Sequence, residues 1–136
     1  MKKIRTLIIE DEAPARELIR FMLSDHPDIE VVGECGDGFC GAREIKEKHP
    51  DLIFLDIQMP KLTGFELLEV IDEKPEVIFT TAFDQYAIRA FELNAVDYLL
   101  KPFSKDRFDD ALGKALNRLG KEEPDHERIE KLVTAA

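Results

Sequence analysis

Strand-like and helix-like runs alternate five times along this chain, and few architectures accommodate such a pattern. The strand-like runs are Ile4 to Ile9, Ile29 to Cys35, Asp51 to Leu55, Val77 to Thr80 and Val96 to Leu100. After the first, Ala15, Leu18, Ile19, Met22 and Leu23 recur at offsets of three and four, the stripe of an amphipathic helix. Pro14 sits near its start, where a missing N–H costs nothing. The last run repeats the period most cleanly, through Phe108, Ala111, Leu112, Ala115, Leu116 and Leu119. Between them, one helix is expected to carry Ala42 and Ile45, the next Phe65, Leu68 and Ile71, and a third to run from about Asp84 to Leu93. Gly36, Gly38 and Gly41 are expected to loosen the turn after the second strand. In the third strand Leu52, Ile53, Phe54 and Leu55 are apolar without alternation, which suits a strand covered on both faces of a parallel sheet. Short connections then imply an α/β fold, a doubly wound (βα)5 sheet with helices on both sides.

At 136 residues the chain is one domain with a short appendage. The formal net charge of −10 argues against a grip on nucleic-acid backbone, which needs Lys and Arg against phosphates. No stretch approaches the ~18 consecutive apolar residues of a membrane helix. The opening MKKIRTLIIEDE is apolar only from Leu7 to Ile9 and runs into acids, so it does not read as a signal peptide. A cytoplasmic chain with no membrane partner is the expectation. Cys35 and Cys40, with four residues between them, are expected to be small apolar thiols without a redox or metal role. Beyond Gly120 the chain becomes charged and is interrupted by Pro124, so residues 121–136 read as a linker or C-terminal helical extension after a domain over 1–120.

The working residues of a doubly wound sheet lie at the carboxyl ends of its strands. Glu10 and Asp11 follow the first strand, Asp56 the third, Thr80 and Thr81 end the fourth, and Lys101-Pro102 follows the fifth. With strands ~4.8 Å apart, the acids converge on one pocket with a hydroxyl and an ammonium. Converging carboxylates repel one another unless a cation sits among them. A hard divalent ion such as Mg²⁺ suits oxygen ligands of this kind and also binds phosphate oxygens. Lys101 can hold a second anionic oxygen as a point charge, and Thr81 can donate to a third. That set suits a phosphoryl group carried on a carboxylate, with Asp56 as the nucleophile. Each residue alone has a plainer reading: acids favour helix N-termini, as expected of Glu12, threonine fills strands and Lys-Pro makes turns. The joint placement is what points to a site.

The acidic pair in IIEDE, LDIQMPKLTG, the TTA after the fourth strand and DYLLKPF together resemble the receiver domain of two-component response regulators, from about Ile4 to Leu119. The resemblance implies a flavodoxin-like sheet of order 2-1-3-4-5. It implies that Asp56 is the phosphoacceptor and that Glu10, Asp11, Asp56 and the Gln58 backbone carbonyl hold Mg²⁺. Glu10-Asp11 stands where Asp-Asp is commoner in the family, and either pair suits Mg²⁺. Thr81 matches the switch hydroxyl, Tyr98 the switch aromatic and Lys101 the invariant-type lysine, with a cis Lys101–Pro102 bond. FTTAFDQYAIRAFELNAVDYLLKPF is similar to receivers of LytTR-type regulators, whose DNA-binding output domain is not in this chain.

The expected function is to take a phosphoryl group from a sensor histidine kinase onto Asp56 and to switch the face made by the fourth helix, fifth strand and fifth helix. Tyr86, Ile88, Ala90, Phe91 and Leu93 exceed what one buried stripe needs, and are expected to form a homodimer patch there, with Arg89 and Asp97 as candidates for charge pairing. Phe83 cannot orient a water, so slow loss of the phosphoryl group is expected. The chain is then no enzyme beyond its own phosphorylation and dephosphorylation. A stand-alone receiver and a non-phosphorylated interaction module remain alternatives. A phosphohydrolase would want an acid where Gln58 stands, and the chain offers no cap domain.

Overall fold

In the computed structural model, residues 2–120 are described, and the expected linker over 121–136 lies outside them. The elements run β1 Ile4–Ile9, α1 Ala13–Leu23, β2 Ile29–Cys35, α2 Gly38–Lys48, β3 Leu52–Asp56, α3 Gly64–Val70, β4 Glu76–Thr81, α4 Ala87–Glu92, β5 Asp97–Leu100 and α5 Lys105–Arg118. All strand pairs are parallel and the order is β2-β1-β3-β4-β5. This is the doubly wound parallel sheet expected from the alternation, in the flavodoxin-like order that the resemblance implies.

The apolar run of β3 is explained by what covers it. Leu52 and Phe54 face a core built with Ile19, Met22 and Leu23 of α1 and Phe108, Ala111 and Leu112 of α5. Ile53 and Leu55 face the opposite core, with Ile45 of α2, Phe65 and Leu67 of α3 and Ala90 of α4. Phe54 stacks on Phe108 with ring centroids 5.2 Å apart. Burying a side chain of that size contributes about 1.5–3 kcal/mol. The strand continues one residue past its apolar run, and so carries Asp56 to its tip.

Caps rather than length define the shorter helices. Thr63 and Glu66 form a capping box at α3, with bonds of 3.1 and 2.9 Å that satisfy two amide donors. Asp37 caps α2 and Ser104 caps α5 through side-chain oxygens. α4 is shorter than the expected Asp84 to Leu93, since Asp84 to Tyr86 form a turn instead.

Three expectations need correction. Gly38 and Gly41 are not in a loose turn but inside α2, where they permit close packing. A Cβ on Gly38 would lie 2.6 Å from Leu62 Cβ, and one on Gly41 would lie 2.9 Å from both Ile9 and Leu67 side chains. Leu18 does not belong to the buried stripe of α1 and is 43% exposed. Cys35 and Cys40 are not separate thiols; their sulfurs are joined in a disulfide, with Cα atoms 5.6 Å apart. The end of β2 and the first turn of α2 bring them within the range that a disulfide needs.

Candidate functional site

Parallel strands in this order put the ends of β1, β3 and β4 side by side, with β5 next to β4. Glu10 follows β1, Asp56 ends β3 in register with Thr80, and Lys101 N–H bonds Thr81 O at 2.7 Å. Carboxylate oxygens of Glu10, Asp11 and Asp56 lie within 4.8 Å of one another. Glu10 is fully buried and Asp56 is 3% exposed, so neither charge is screened by bulk water. Lys101 Nζ reaches both, 2.5 Å from Glu10 Oε1 and 3.6 Å from Asp56 Oδ2.

The main chain holds these groups. The Glu12 N–H donates to Glu10 Oε2 at 3.0 Å, and the Gln58 N–H donates to Asp56 Oδ1 at 3.2 Å. The Glu10 N–H donates to Cys35 O at 2.9 Å, and Glu10 O accepts from Arg16 Nη1 at 2.7 Å. Gly64 N–H donates to Ile57 O at 3.0 Å, and a Cβ on Gly64 would meet Asp56 O at 2.6 Å. Arg16 and Gly64 therefore position the acids without carrying the chemistry. Gly64 closes the LDIQMPKLTG motif, whereas no sequence signal singles out Arg16.

Burial pushes the Asp56 carboxyl up to about 8, with the charge of Glu10 adding to it and Lys101 opposing. Burial lowers Lys101, but the hydrogen bond it donates to Glu10 and the charges of Asp56 and Glu10 outweigh it and raise the ammonium above its ordinary value. One ammonium does not balance three crowded carboxylates. A divalent cation would supply the missing charge and reverse the effect on Asp56. Three carboxylates form a hard oxygen donor set of the kind Mg²⁺ takes, so the residues present fit that ion.

Thr81 is buried, and its Oγ1 accepts the Phe83 N–H at 3.2 Å. Tyr98 Oη donates to Phe83 O. The two expected switch residues are thus joined through the main chain of Phe83. Tyr86, expected only in a surface patch, instead accepts a hydrogen bond from Gln58 Nε2 at 2.5 Å and ties the β3–α3 loop to the start of α4. The Lys101–Pro102 bond is cis, as expected.

The α4 face is strongly apolar: Ile88 is 76% and Phe91 86% exposed, and Leu93 just after the helix is exposed as well. Asp97 is engaged within the chain, by Arg107 at 2.6 Å and Lys114 at 3.1 Å. Arg89 bonds Glu69 at 3.3 Å and lies 4.9 Å over the Phe65 ring. On the other side of Lys101, Ala15, Leu18, Pro102 and Phe103 help line an apolar cleft of about 420 Å³.

The response regulator receiver domain model matches residues 6–113. The transcriptional regulatory protein BtsR of Escherichia coli K12 is 43% identical over 122 residues, 88% of this chain and 51% of that protein. An uncharacterized response regulatory protein of Vibrio vulnificus is 48% identical over 120 residues, 87% of this chain and 48% of that protein. The chain therefore spans about half the length of the curated relatives it matches. The response regulatory domain of mrkE from Klebsiella pneumoniae superposes with a TM-score of 0.77 at 34% identity, over 84% of this chain and 96% of that one.

Proposed function

The chain belongs to the response regulator receiver domain family, and from that premise we propose that Asp56 takes a phosphoryl group from the phosphohistidine of a sensor histidine kinase. The phosphorus–nitrogen bond breaks, its electron pair returns to the imidazole, and an Asp56 oxygen forms the new bond to phosphorus. Glu10, Asp11, Asp56 and the Gln58 carbonyl would hold Mg²⁺, which when bound neutralises charge on the transferring group. Lys101, already 3.6 Å from Asp56, is placed to take a phosphoryl oxygen. Because transfers of this kind rest on positioning and charge, no separate acid or base is required.

The observation that carries this reading is the cluster of Glu10, Asp11 and Asp56 oxygens within 4.8 Å, with Lys101 among them. The exposed apolar cleft next to Lys101 offers a contact for the kinase domain bearing the histidine. On phosphorylation, Thr81 would release the Phe83 N–H to bond the new oxygens. Tyr98, bonded to the Phe83 carbonyl, then loses its outward anchor and turns in. The α4-β5-α5 face is biased toward a second conformation. Its exposed Ile88 and Phe91 support phosphorylation-dependent homodimerisation through that face.

The output would be transcriptional, through a DNA-binding domain of LytTR type outside this chain, in the cytoplasm. The name of the BtsR relative and the half-length coverage support such an output. The chain would act as a phosphoacceptor, catalysing only its own phosphorylation and slow dephosphorylation. Incubation with acetyl phosphate, with and without Mg²⁺, tests the reading by intact mass. A single phosphoryl adduct that requires Mg²⁺ supports it, and no adduct in either buffer refutes it.

A further inference from the structure

The disulfide between Cys35 and Cys40 plays no part in phosphoryl transfer, yet it stands one hydrogen bond from the acidic pocket. Cys35 ends β2 opposite Ile9, and its carbonyl accepts the N–H of Glu10 at 2.9 Å. Cys40 lies in the first turn of α2, where its own N–H is held by Asp37 at 2.8 Å. The four residues between them include Gly36, whose Cα faces the Arg16 guanidinium: a Cβ there would lie 3.3 Å from Nη1. The same Nη1 donates to Glu10 O. The Glu10 N–H is therefore held directly by the residue that opens the segment the disulfide closes, and the Glu10 carbonyl by an Arg16 guanidinium that lies close against that segment.

The two sulfurs differ in access. Cys35 is 2% exposed, while Cys40 is half-buried. A small reagent meets Cys40 first and Cys35 resolves from within, an arrangement suited to thiol–disulfide exchange.

We propose that Cys35–Cys40 is a reversible redox modification site that sets how firmly Glu10 is held in the acidic pocket. The oxidant is a low-molecular-weight disulfide of the glutathione class. The Cys40 sulfur attacks one sulfur of that disulfide, forming a mixed disulfide and expelling one thiolate. The Cys35 sulfur then attacks Cys40 and expels the second. The protein loses two protons and two electrons, and the reagent leaves as two thiols. Oxidised, the β2–α2 segment is closed and the Cys35 carbonyl is fixed against Glu10. Reduced, α2 can move from the end of β2, and the hydrogen bond to Glu10 opens more often. The effect on metal binding rests on the function proposed above; the effect on the Glu10 amide does not.

The experiment compares the full chain after equilibration with oxidised or reduced glutathione. Intact mass after alkylation reads the thiols, amide hydrogen exchange reads Glu10, and calorimetric titration with MgCl₂ reads the pocket. Oxidation is expected to protect both cysteines, slow exchange of the Glu10 amide, and tighten Mg²⁺ binding about threefold. That is less than the tenfold or greater loss typical of deleting an outer-shell partner, because the hydrogen bond survives in both forms. Cys40→Ser is expected to show the reduced behaviour in both buffers, and Cys35→Ala serves as the second variant if either one folds poorly. Cysteines that remain alkylatable in oxidised glutathione overturn the site. Equal Glu10 exchange in both forms overturns the coupling. Slowed exchange with no Mg²⁺ binding in either form upholds the redox site and refutes the metal reading instead.

Discussion

Lys101 Nζ sits 2.5 Å from Glu10 Oε1 and 3.6 Å from Asp56 Oδ2, so one ammonium bridges acids delivered by two different strands. It is closer to Glu10 than to Asp56. The Asp56 carboxyl is raised to about 8, by burial first and the charge of Glu10 second. Strongly perturbed carboxylates of this kind cluster at functional sites, in keeping with the role proposed for Asp56.

Removing a carboxyl group that folding drives to bind a proton should therefore stabilise the fold. Asp56→Asn is expected to raise the unfolding free energy by about 1 kcal/mol or more at neutral pH without Mg²⁺, the direction expected when one of several crowded carboxylates is neutralised. Added Mg²⁺ should stabilise the wild type more than the variant and narrow the gap. Urea titrations in EDTA and in MgCl₂ read both effects.

Asp97 makes the opposite prediction for acid. Burial tends to raise its carboxyl, but hydrogen bonds from Arg107, the Tyr98 N–H and Lys114 outweigh this and hold it at about 2. A carboxylate depressed in the folded state gives stability that is present above its unfolded value and is lost as pH falls through the folded one. Between about pH 4 and about pH 2, roughly 1–2 kcal/mol should therefore disappear, allowing for the partly exposed Arg107 and Lys114. Asp97→Asn should flatten that part of the stability curve. An unchanged slope would show that the ion pair contributes nothing.

How much of this was legible in the sequence depends on range. The alternation, the two-sided burial of Leu52 to Leu55 and the acids at strand ends follow from local pattern, and each appears in the structure. The packing roles of Gly38 and Gly41 do not, because they depend on Leu62, Ile9 and Leu67 from other elements. The Cys35–Cys40 pairing likewise depends on how β2 turns into α2, since four intervening residues set no Cα distance by themselves. The apolar neighbours of Tyr86 point to a surface patch, whereas its hydrogen bond to Gln58 arises only when two loops meet.

The α4 surface carries a separate prediction. Phe91 is 86% exposed, so Phe91→Asp should leave monomer stability within about 0.5 kcal/mol. It should abolish self-association in the presence of acetyl phosphate and Mg²⁺, as read by sedimentation velocity. A dimer that survives would move the interface elsewhere.

The phosphoryl group should be long-lived. Gln58 is occupied by Tyr86, and the apolar Phe83 side chain has no group to orient a water. Loss of phosphate after acetyl phosphate is removed should take on the order of minutes or longer, as expected where positioning of water is absent. Decay within seconds would show that another group supplies that function.

The most direct measurement traps the acyl phosphate with borohydride and maps the reduced residue by peptide mass. A single modified position is expected, Asp56, formed only with Mg²⁺ and missing from Asp56→Asn. Reduction at Glu10, at Asp11 or at no carboxylate would contradict it.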